Sequence, residues 1–312
     1  MAKILITGGR GFIGTNLTQE LRSRGHEVFT SDIKDGEDPH HFRADVSAFE
    51  QMDWVFREVG DVDFVYQLAA EYGRWNGEDH YRNLWETNVV GNKNMIRLQE
   101  RHGFRTIFFS SAEVYGDYEG VMSESVMDEI PIKQMNDYAI SKWVGELQCL
   151  NSAEMFGTET VRVRPVNCYG PHEYFSRYRG VIPIFTYSCL VGREFSVYSG
   201  HRRIFDYVSD TVRTVANIAD NFIAGEVYNV GSNEDWDVDI GELARLVLSV
   251  TGADPSLATM HESEPHTTKV KRMDFSKIRR DLAHEANVPL EDGLRLYAEW
   301  MRSVYVAQDP GE

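Results

Sequence analysis

Short, continuous apolar runs alternate with longer amphipathic segments along this chain. An apolar run without polar alternation is typical of a strand that is buried on both faces, as in a parallel sheet. The strand candidates are KILITGG, HEVFTSDI, DVDFVYQLAA and RTIFFSSA, and later TVRVRPVNCYG and EVYNVGS. The helix candidates are residues 14–25, 49–58, 81–103 and 137–155. This regular succession of strand and helix predicts an α/β fold with a doubly wound parallel sheet.

The alternation weakens after Gly170, where proline, glycine and arginine become frequent. We therefore predict two interleaved domains. The sheet domain covers residues 1–166, with 205–231 returning to it, and residues 167–204 and 232–312 form a smaller substrate-binding domain. The final AQDPGE has the composition of a frayed end.

Composition argues against several classes of protein. With 42% apolar residues in 312, the chain can fill a large core, so global disorder is excluded. A formal charge of −17 argues against general binding to nucleic acid or anionic membranes. No apolar run approaches the roughly 20 residues that cross a bilayer, and the N-terminus passes directly into a strand, so we expect a cytoplasmic protein. The three cysteines show no CxxC spacing, which argues against a disulfide framework or a metal site.

One segment reverses the overall charge. Between Ser176 and Phe205, five arginines accompany a single acid, Glu194; the arginines are Arg177, Arg179, Arg193, Arg202 and Arg203. Such a cluster fits either a small anionic ligand or a solvated surface.

A glycine-rich turn follows the first strand. Gly8, Gly11 and Gly14 stand where the strand gives way to a helix that starts near Phe12 and Ile13. Glycines at this point let the backbone approach a pyrophosphate and expose helix N-terminal amides to it, which predicts a Rossmann-type dinucleotide site.

The second strand ends at Asp32, where a carboxylate accepts the ribose hydroxyls of NAD and repels the 2′-phosphate of NADP. Arg10, inside the glycine turn, would instead favour NADP. Asp45-Val46 opens the next segment, where Asp45 either meets an adenine amino group or caps the following helix.

Tyr138 and Lys142 lie four residues apart in a helical pattern, and therefore on one face of the helix. An ammonium beside a phenol lowers the pKa of that phenol, so Tyr138 can take a proton from a substrate hydroxyl. A strand-end pair of serines, Ser110-Ser111, precedes Tyr138 in the chain.

Several motifs together resemble a known family. TGGRGFIG, LAA, TNVVGNKN, SSAEVYG, YAISK, RPVNCYGP, RRIFDYVSD and YNVGS occur in the order seen in extended short-chain dehydrogenases/reductases. Within that superfamily, residues 3–232 resemble the NAD-dependent nucleotide-sugar epimerase/dehydratase family.

The resemblance assigns roles to residues. It implies that Tyr138 is the base, that Lys142 is its partner, and that Ser111 hydrogen-bonds the sugar hydroxyl. It also implies that Asn167 and Arg203 bind the substrate. Two further substrate-binding residues are expected from the sequence itself: Arg179 of the arginine cluster, and Tyr72, which lies in a segment that departs from the family and either contacts the sugar or packs as an ordinary aromatic. The expected cofactor-binding residues are Gly8, Gly11, Phe12, Ile13, Gly14, Asp32, Asp45, Val46, Leu68, Ala69, Ala70, Asn88, Tyr138, Lys142 and Pro165. A second phosphate-binding arginine of the family is missing, and His266, Lys269 or Lys271 is its expected substitute.

Glu113, two residues after Ser111, bears on the outcome of the reaction. In proteins of this family NAD oxidises a sugar carbon, normally C4, and simple 4-epimerases resemble SSATVYG here, without an ionisable group. Dehydratases resemble TDEVYG and UDP-glucuronate decarboxylases TSEVYG, whereas this chain has Ala112 before Glu113. Glu113 is therefore a candidate acid/base at C5, or else only positions its neighbours.

The resemblance implies an NAD-dependent nucleotide-sugar epimerase that forms a transient 4-keto sugar, with tightly bound NAD and a homodimeric assembly. A dehydratase or decarboxylase that uses the same intermediate is the alternative. An NADP-linked carbonyl reductase is the alternative from another class. The expected partner is a nucleotide-diphosphate sugar, with neither nucleic acid nor a membrane.

Overall fold

A computed structural model describes residues 1–262 and 267–306. Its strands are β1 (Lys3–Thr7), β2 (Glu27–Asp32), β3 (His41–Arg43), β4 (Phe64–Gln67), β5 (Arg105–Phe109), β6 (Val121–Met122), β7 (Thr160–Pro165), β8 (Cys168–Tyr169), β9 (Phe195–Tyr198), β10 (Arg202–Arg203), β11 (Asp206–Tyr207), β12 (Val227–Val230), β13 (Val238–Asp239), β14 (Ala258–His261) and β15 (Arg272–Met273). Its α-helices are α1 (Phe12–Ser23), α2 (Phe49–Val59), α3 (Arg74–Asp79), α4 (Tyr81–Trp85), α5 (Asn92–His102), α6 (Val126–Glu129), α7 (Asp137–Phe156), α8 (Val181–Val191), α9 (Val208–Asp220), α10 (Ile240–Thr251), α11 (Ser276–Leu282) and α12 (Leu290–Tyr305).

Seven strands form one parallel sheet in the order β12-β7-β5-β4-β1-β2-β3. This confirms the predicted α/β class with a doubly wound sheet. The edge strand β3 was not predicted, because it is only three residues long and lies among polar residues. The pairing of β12 with β7 brings a late part of the chain back to the sheet.

The apolar strand residues divide between the two faces of the sheet. Ile4 and Ile6 pack into one core cluster, whereas Leu5 and Val65 pack into another, as the period of two in a strand requires. A third cluster lies under the C-terminal segments and includes Leu243. The two-domain division with the boundaries given above stays a prediction.

The predicted helix over 81–103 is interrupted. Between α4 and α5 the residues Glu86–Gly91 form a π-helix, a wider turn that often occurs at functional sites. Asn88 lies in this turn and points inward, where its side chain donates to the Glu71 carbonyl at 3.0 Å and to the Ser141 hydroxyl at 3.0 Å.

Large apolar side chains remain exposed along this turn and α7, among them Val90, Leu147 and Leu150. The homodimer that the family resemblance implies stays a prediction. Within the described residues, no helix is long and apolar enough to cross a membrane.

Candidate active site

A cleft of about 680 Å³ runs along the edge where the main parallel strands end. Carboxyl ends of parallel strands meet at one edge, which is the usual ligand site in open α/β sheets. The cleft brings together most of the predicted site residues: Gly8, Gly11, Phe12, Ile13, Gly14, Leu68, Ala70, Tyr72, Ser111, Glu113, Tyr138, Lys142, Pro165, Asn167, Arg179 and Arg203.

The glycine turn forms one end of the cleft. Gly8 has φ +70°, and a Cβ on Gly14 would lie 2.1 Å from the Gly8 carbonyl oxygen, so both positions require glycine. A Cβ on Gly11 would approach only that oxygen, at 3.1 Å, so the space beyond Gly11 is open. Gly11 also precedes α1 without a side-chain cap, which leaves first-turn amides available to an anion. The turn therefore fits the pyrophosphate of a dinucleotide.

Five predicted cofactor residues lie outside the lining of this cleft: Asp32, Asp45, Val46, Ala69 and Asn88. Asp32 stands beside the glycine turn, where its carboxylate accepts the backbone N–H groups of Arg10 and Lys34, both at 3.0 Å. That position suits the ribose role predicted for it.

Asp45 accepts the Ser47 backbone N–H and hydroxyl at 2.8 Å each, in a turn that precedes α2. It does not cap that helix, which starts after Ala48 without a side-chain cap. Val46 packs against Gly91. Ala69 donates its N–H to the Thr7 hydroxyl at 3.3 Å. The contact of these residues and of Asn88 with a cofactor stays a prediction.

Ser111, Tyr138 and Lys142 converge in the middle of the cleft. Ser111 lies two residues after the end of β5 and caps a short 3₁₀ turn by accepting the Glu113 N–H at 3.1 Å. The Tyr138 hydroxyl hydrogen-bonds Ser111. Lys142 donates to the Phe109 carbonyl at 2.8 Å and lies 6.0 Å from the centre of the Tyr138 ring. Asn136 accepts the Ala139 N–H at 2.8 Å and so fixes the start of the helix that carries Tyr138.

The expectation of a lowered tyrosine pKa needs correction. Burial raises the pKa of Tyr138 above its usual value, Tyr72 adds to this, and the hydrogen bond from Ser111 offsets only part of it. Burial also lowers the pKa of Lys142 to about 8. The desolvation of both groups outweighs the attraction between them that the sequence spacing suggested.

Glu113 forms an ion pair with Lys271, which is almost fully buried. Burial would raise the pKa of Glu113, but Lys271, Arg203 and Arg74 outweigh it and lower that pKa, so Glu113 is a carboxylate at neutral pH. Burial lowers the pKa of Lys271, and Glu113 counteracts this. Of the three substitutes proposed for the missing arginine, Lys271 lines the cleft, where it pairs with Glu113. His266 lies outside the described residues.

Four arginines of the cluster line the cleft, Arg177, Arg179, Arg193 and Arg203, whereas Arg202 does not. Arg179 lines the cleft with its guanidinium 5.3 Å from the Tyr72 ring centre. Arg203 also lines the cleft, where it donates to the Thr268 carbonyl at 2.7 Å. Arg202, in contrast, is bound by Asp237 at 2.5 Å. Asn167 has φ +34° and donates to the Ile204 carbonyl at 2.9 Å, so it also braces the loop it sits on.

A buried ionic network beside Ser110 and Tyr115 was not predicted. Glu146 accepts two bonds from Arg164, at 2.9 and 2.7 Å, and one from the Ser110 hydroxyl at 2.5 Å. Arg164 also donates to the Tyr115 hydroxyl at 2.9 Å. The signal in the sequence is the pair of arginines that interrupts the apolar run TVRVRP.

Comparison with known proteins gives consistent matches. The family model described as "NAD dependent epimerase/dehydratase family" matches residues 4–231. A relative from Bacillus cytotoxicus named UDP-N-acetyl-alpha-D-glucosaminuronate decarboxylase is 30% identical over 319 residues, which cover 97% of this chain and 98% of the relative.

Two solved structures illustrate the fold match. UDP-glucose 4-epimerase from Thermotoga maritima, with UDP-glucose, has a TM-score of 0.85 at 26% identity, covering 97% of this chain and 99% of the other. The dTDP-glucose 4,6-dehydratase DesIV (double mutant) from Streptomyces venezuelae, with NAD and DAU bound, has a TM-score of 0.85 at 25% identity, covering 96% of each chain.

Proposed function

Because the chain belongs to the NAD dependent epimerase/dehydratase family, we propose that it converts a nucleotide-diphosphate sugar through a 4-keto intermediate. We propose further that the reaction continues at C5 and C6, as the decarboxylation of a nucleotide-linked uronic acid. The predicted cofactor, NAD, is confirmed by the family and by the NAD held in a solved relative.

The first step requires a base at the C4 hydroxyl. Bound NAD supplies the hydride acceptor. Ser111 hydrogen-bonds Tyr138, and together they can hold that hydroxyl while Tyr138 takes its proton. Since burial raises the pKa of Tyr138, the tyrosine needs a cation nearby to react as phenolate, and Lys142 supplies one when it is protonated.

The observation that carries the proposal is the Ala112-Glu113 arrangement beside Lys271. Dehydration needs an acid to expel the C6 hydroxide, and Ala112 offers none. Decarboxylation needs no such acid: the C5–C6 bond breaks, CO₂ leaves, and its bonding electrons pass to C5 and the C4 ketone. C5 must then gain a proton, and the Glu113–Lys271 pair holds a transferable one.

The positive charges around Glu113 favour an anionic substrate group in that part of the cleft. Lys271, Arg203 and Arg74 all act on Glu113 strongly enough to lower its pKa despite burial. A sugar carboxylate would meet the same cations. The 30% identical relative is named as a decarboxylase of a UDP-linked uronic acid, which supports this substrate class.

Plain 4-epimerisation, the leading prediction from sequence, is the second candidate. It needs only Ser111, Tyr138 and Lys142, which converge in the cleft, and the ion pair with Lys271 can hold Glu113 out of the reaction. In that case Glu113 only orients its neighbours.

One experiment separates these functions. The purified protein is incubated with a panel of UDP-, GDP-, CDP- and dTDP-sugars, including uronic acids, in D₂O and followed by NMR. Decarboxylation gives CO₂ and a product with deuterium at C5. A C4 epimer without solvent deuterium supports the second candidate. If the protein turns over none of these sugars but reduces a free carbonyl with NADPH, both proposals are wrong.

Glu113→Gln tests the later step. We expect product formation to fall by roughly 10²- to 10⁴-fold, since the C5 acid/base group is lost. Oxidation at C4 should persist and appear as NADH absorbance in a single turnover. The exposed Glu119→Gln is the matched control and should behave as wild type. Unchanged product formation in Glu113→Gln would assign Glu113 a positioning role only.

Lys271→Met tests the electrostatic control of Glu113. Without the Lys271 ammonium, burial dominates and raises the pKa of Glu113, so the carboxylate forms only at higher pH. In Lys271→Met, Glu113 itself must carry the proton that C5 gains, so we expect product formation to fall along a basic limb at the raised pKa of Glu113. The exposed Lys133→Met should leave the profile in place. A pH–rate profile in Lys271→Met that matches the wild type would show that this pair does not supply the proton.

A further inference from the structure

A second carboxyl group faces the cleft from the loop between β8 and α8. Glu173 lines the cleft, but its side chain is almost entirely enclosed, with the residue 3% exposed. Within residues 1–262 and 267–306, its Oε2 atom is buried and has no hydrogen-bond partner. Burying a carboxyl oxygen without a partner costs free energy, so native proteins rarely keep one unless a ligand or water completes it.

The backbone is built to hold Glu173 in this position. Its N–H donates to the Gly170 carbonyl at 3.1 Å, and its carbonyl accepts the Tyr297 hydroxyl at 2.6 Å. The loop turns sharply, with φ +145° at Gly170 and φ +71° at His172. The His172 ring packs against Trp300, with ring centres 5.8 Å apart. Glu173 is thus fixed from both sides.

The groups that face Glu173 come from four parts of the fold. Arg179, in the segment that follows, lowers the pKa of Glu173. The Glu173 carboxylate in turn raises the pKa values of Tyr72, of Cys168 in β8 and of Tyr297 in α12. Tyr72 packs edge-on against Tyr138, with ring centres 5.7 Å apart. Glu173 therefore lies one aromatic ring away from the predicted base, where the sugar must bind if our proposed function holds.

We propose that Glu173 is a specificity-determining residue, which hydrogen-bonds a neutral polar group of the substrate's sugar, a hydroxyl or acylamino group, through its protonated carboxyl group. This rests on the proposed function, since it assumes a sugar beside Tyr138. A protonated carboxyl can donate one hydrogen bond and accept another, which matches either group.

The protonation state gives the proposal a pH signature. Burial raises the pKa of Glu173 to about 8, and Arg179 offsets only part of that rise. The neutral acid is thus present at pH 7 and is lost as the pH rises through about 8. Above that pH the carboxylate can no longer donate a hydrogen bond, so substrate binding weakens.

The test compares Glu173→Gln and Glu173→Leu with the exposed control Glu154→Gln. KM and kcat for UDP-glucuronic acid, and the Kd of UDP alone, are measured from pH 6.5 to 9. We expect Glu173→Leu to raise KM roughly tenfold with the Kd of UDP unchanged, because one buried hydrogen bond is lost. Glu173→Gln should keep a near-normal KM that no longer rises above pH 8, whereas the titration of Lys142 persists in every variant.

Several outcomes would overturn the proposal. An unchanged KM in Glu173→Leu, or a rise in the Kd of UDP as large as the rise in KM, would show that Glu173 does not bind the sugar. A lower Tm in both variants with a wild-type pH profile in Glu173→Gln would make its role structural. If the wild type neither turns over nor binds UDP-glucuronic acid while the other panel sugars also fail, the proposed function falls first, and this inference falls with it.

Discussion

Tyr138→Phe should lower turnover of the nucleotide sugar by roughly 10²- to 10⁴-fold, the range in which a positioned general base contributes. The phenyl ring keeps the packing against Tyr72 but removes the hydroxyl that hydrogen-bonds Ser111. Because the base acts in the first step, C4 oxidation itself should fail. No NADH absorbance should appear in a single turnover, unlike in Glu113→Gln.

The pH dependence of C4 oxidation in the wild type also reports the protonation state of Tyr138. Burial raises the pKa of Tyr138, so its reactive phenolate becomes more abundant as the pH rises. The loss of the Lys142 charge above about pH 8 acts in the opposite direction. We therefore expect a bell-shaped profile for C4 oxidation. The exposed Tyr81→Phe is the control and should match wild type. NADH formation in Tyr138→Phe at the wild-type rate would remove Tyr138 from the mechanism.

Local patterns were enough to predict the parts of the site that are formed by neighbours in sequence. The glycine turn lies between one strand and one helix, and Tyr138 and Lys142 lie on one helix face. Each of these depends on a period or a spacing within about a dozen residues. Both groups of residues meet in the cleft as expected.

Such local patterns do not predict contacts between segments that are distant in sequence. Lys271 stands 158 residues after Glu113, and only the folded chain shows that its ammonium pairs with that carboxylate. The π-helix at Glu86–Gly91 was missed for a similar reason, since apolar periodicity does not distinguish it from the α-helices on either side. Within it, Asn88 donates a hydrogen bond inward to Ser141 on α7.

The network of Glu146 and Arg164 was not predicted for the same reason, and its disruption has the largest expected effect on stability. Arg164 is 1% exposed and its guanidinium is held by both oxygens of Glu146. We expect Glu146→Leu to lower the free energy of unfolding by about 3–5 kcal/mol, because it leaves a buried guanidinium without its counter-ion. The measurement is chemical unfolding, and the exposed Glu159→Gln, which loses only a surface pair with Arg105, should stay within about 0.5 kcal/mol of wild type.

A double-mutant cycle distinguishes the loss of the ion pair from the loss of packing. Arg164→Met leaves the Glu146 carboxylate buried with the weaker support of Arg162 and Ser110, so this single variant should also be strongly destabilised. In Glu146→Leu with Arg164→Met both charges are gone, and two apolar side chains fill the space. The double variant should therefore be destabilised by at least about 1 kcal/mol less than the sum of the single variants. Additive effects would show that the two side chains stabilise the fold independently, and not as a pair that holds Ser110 and, next to it, Ser111 in place.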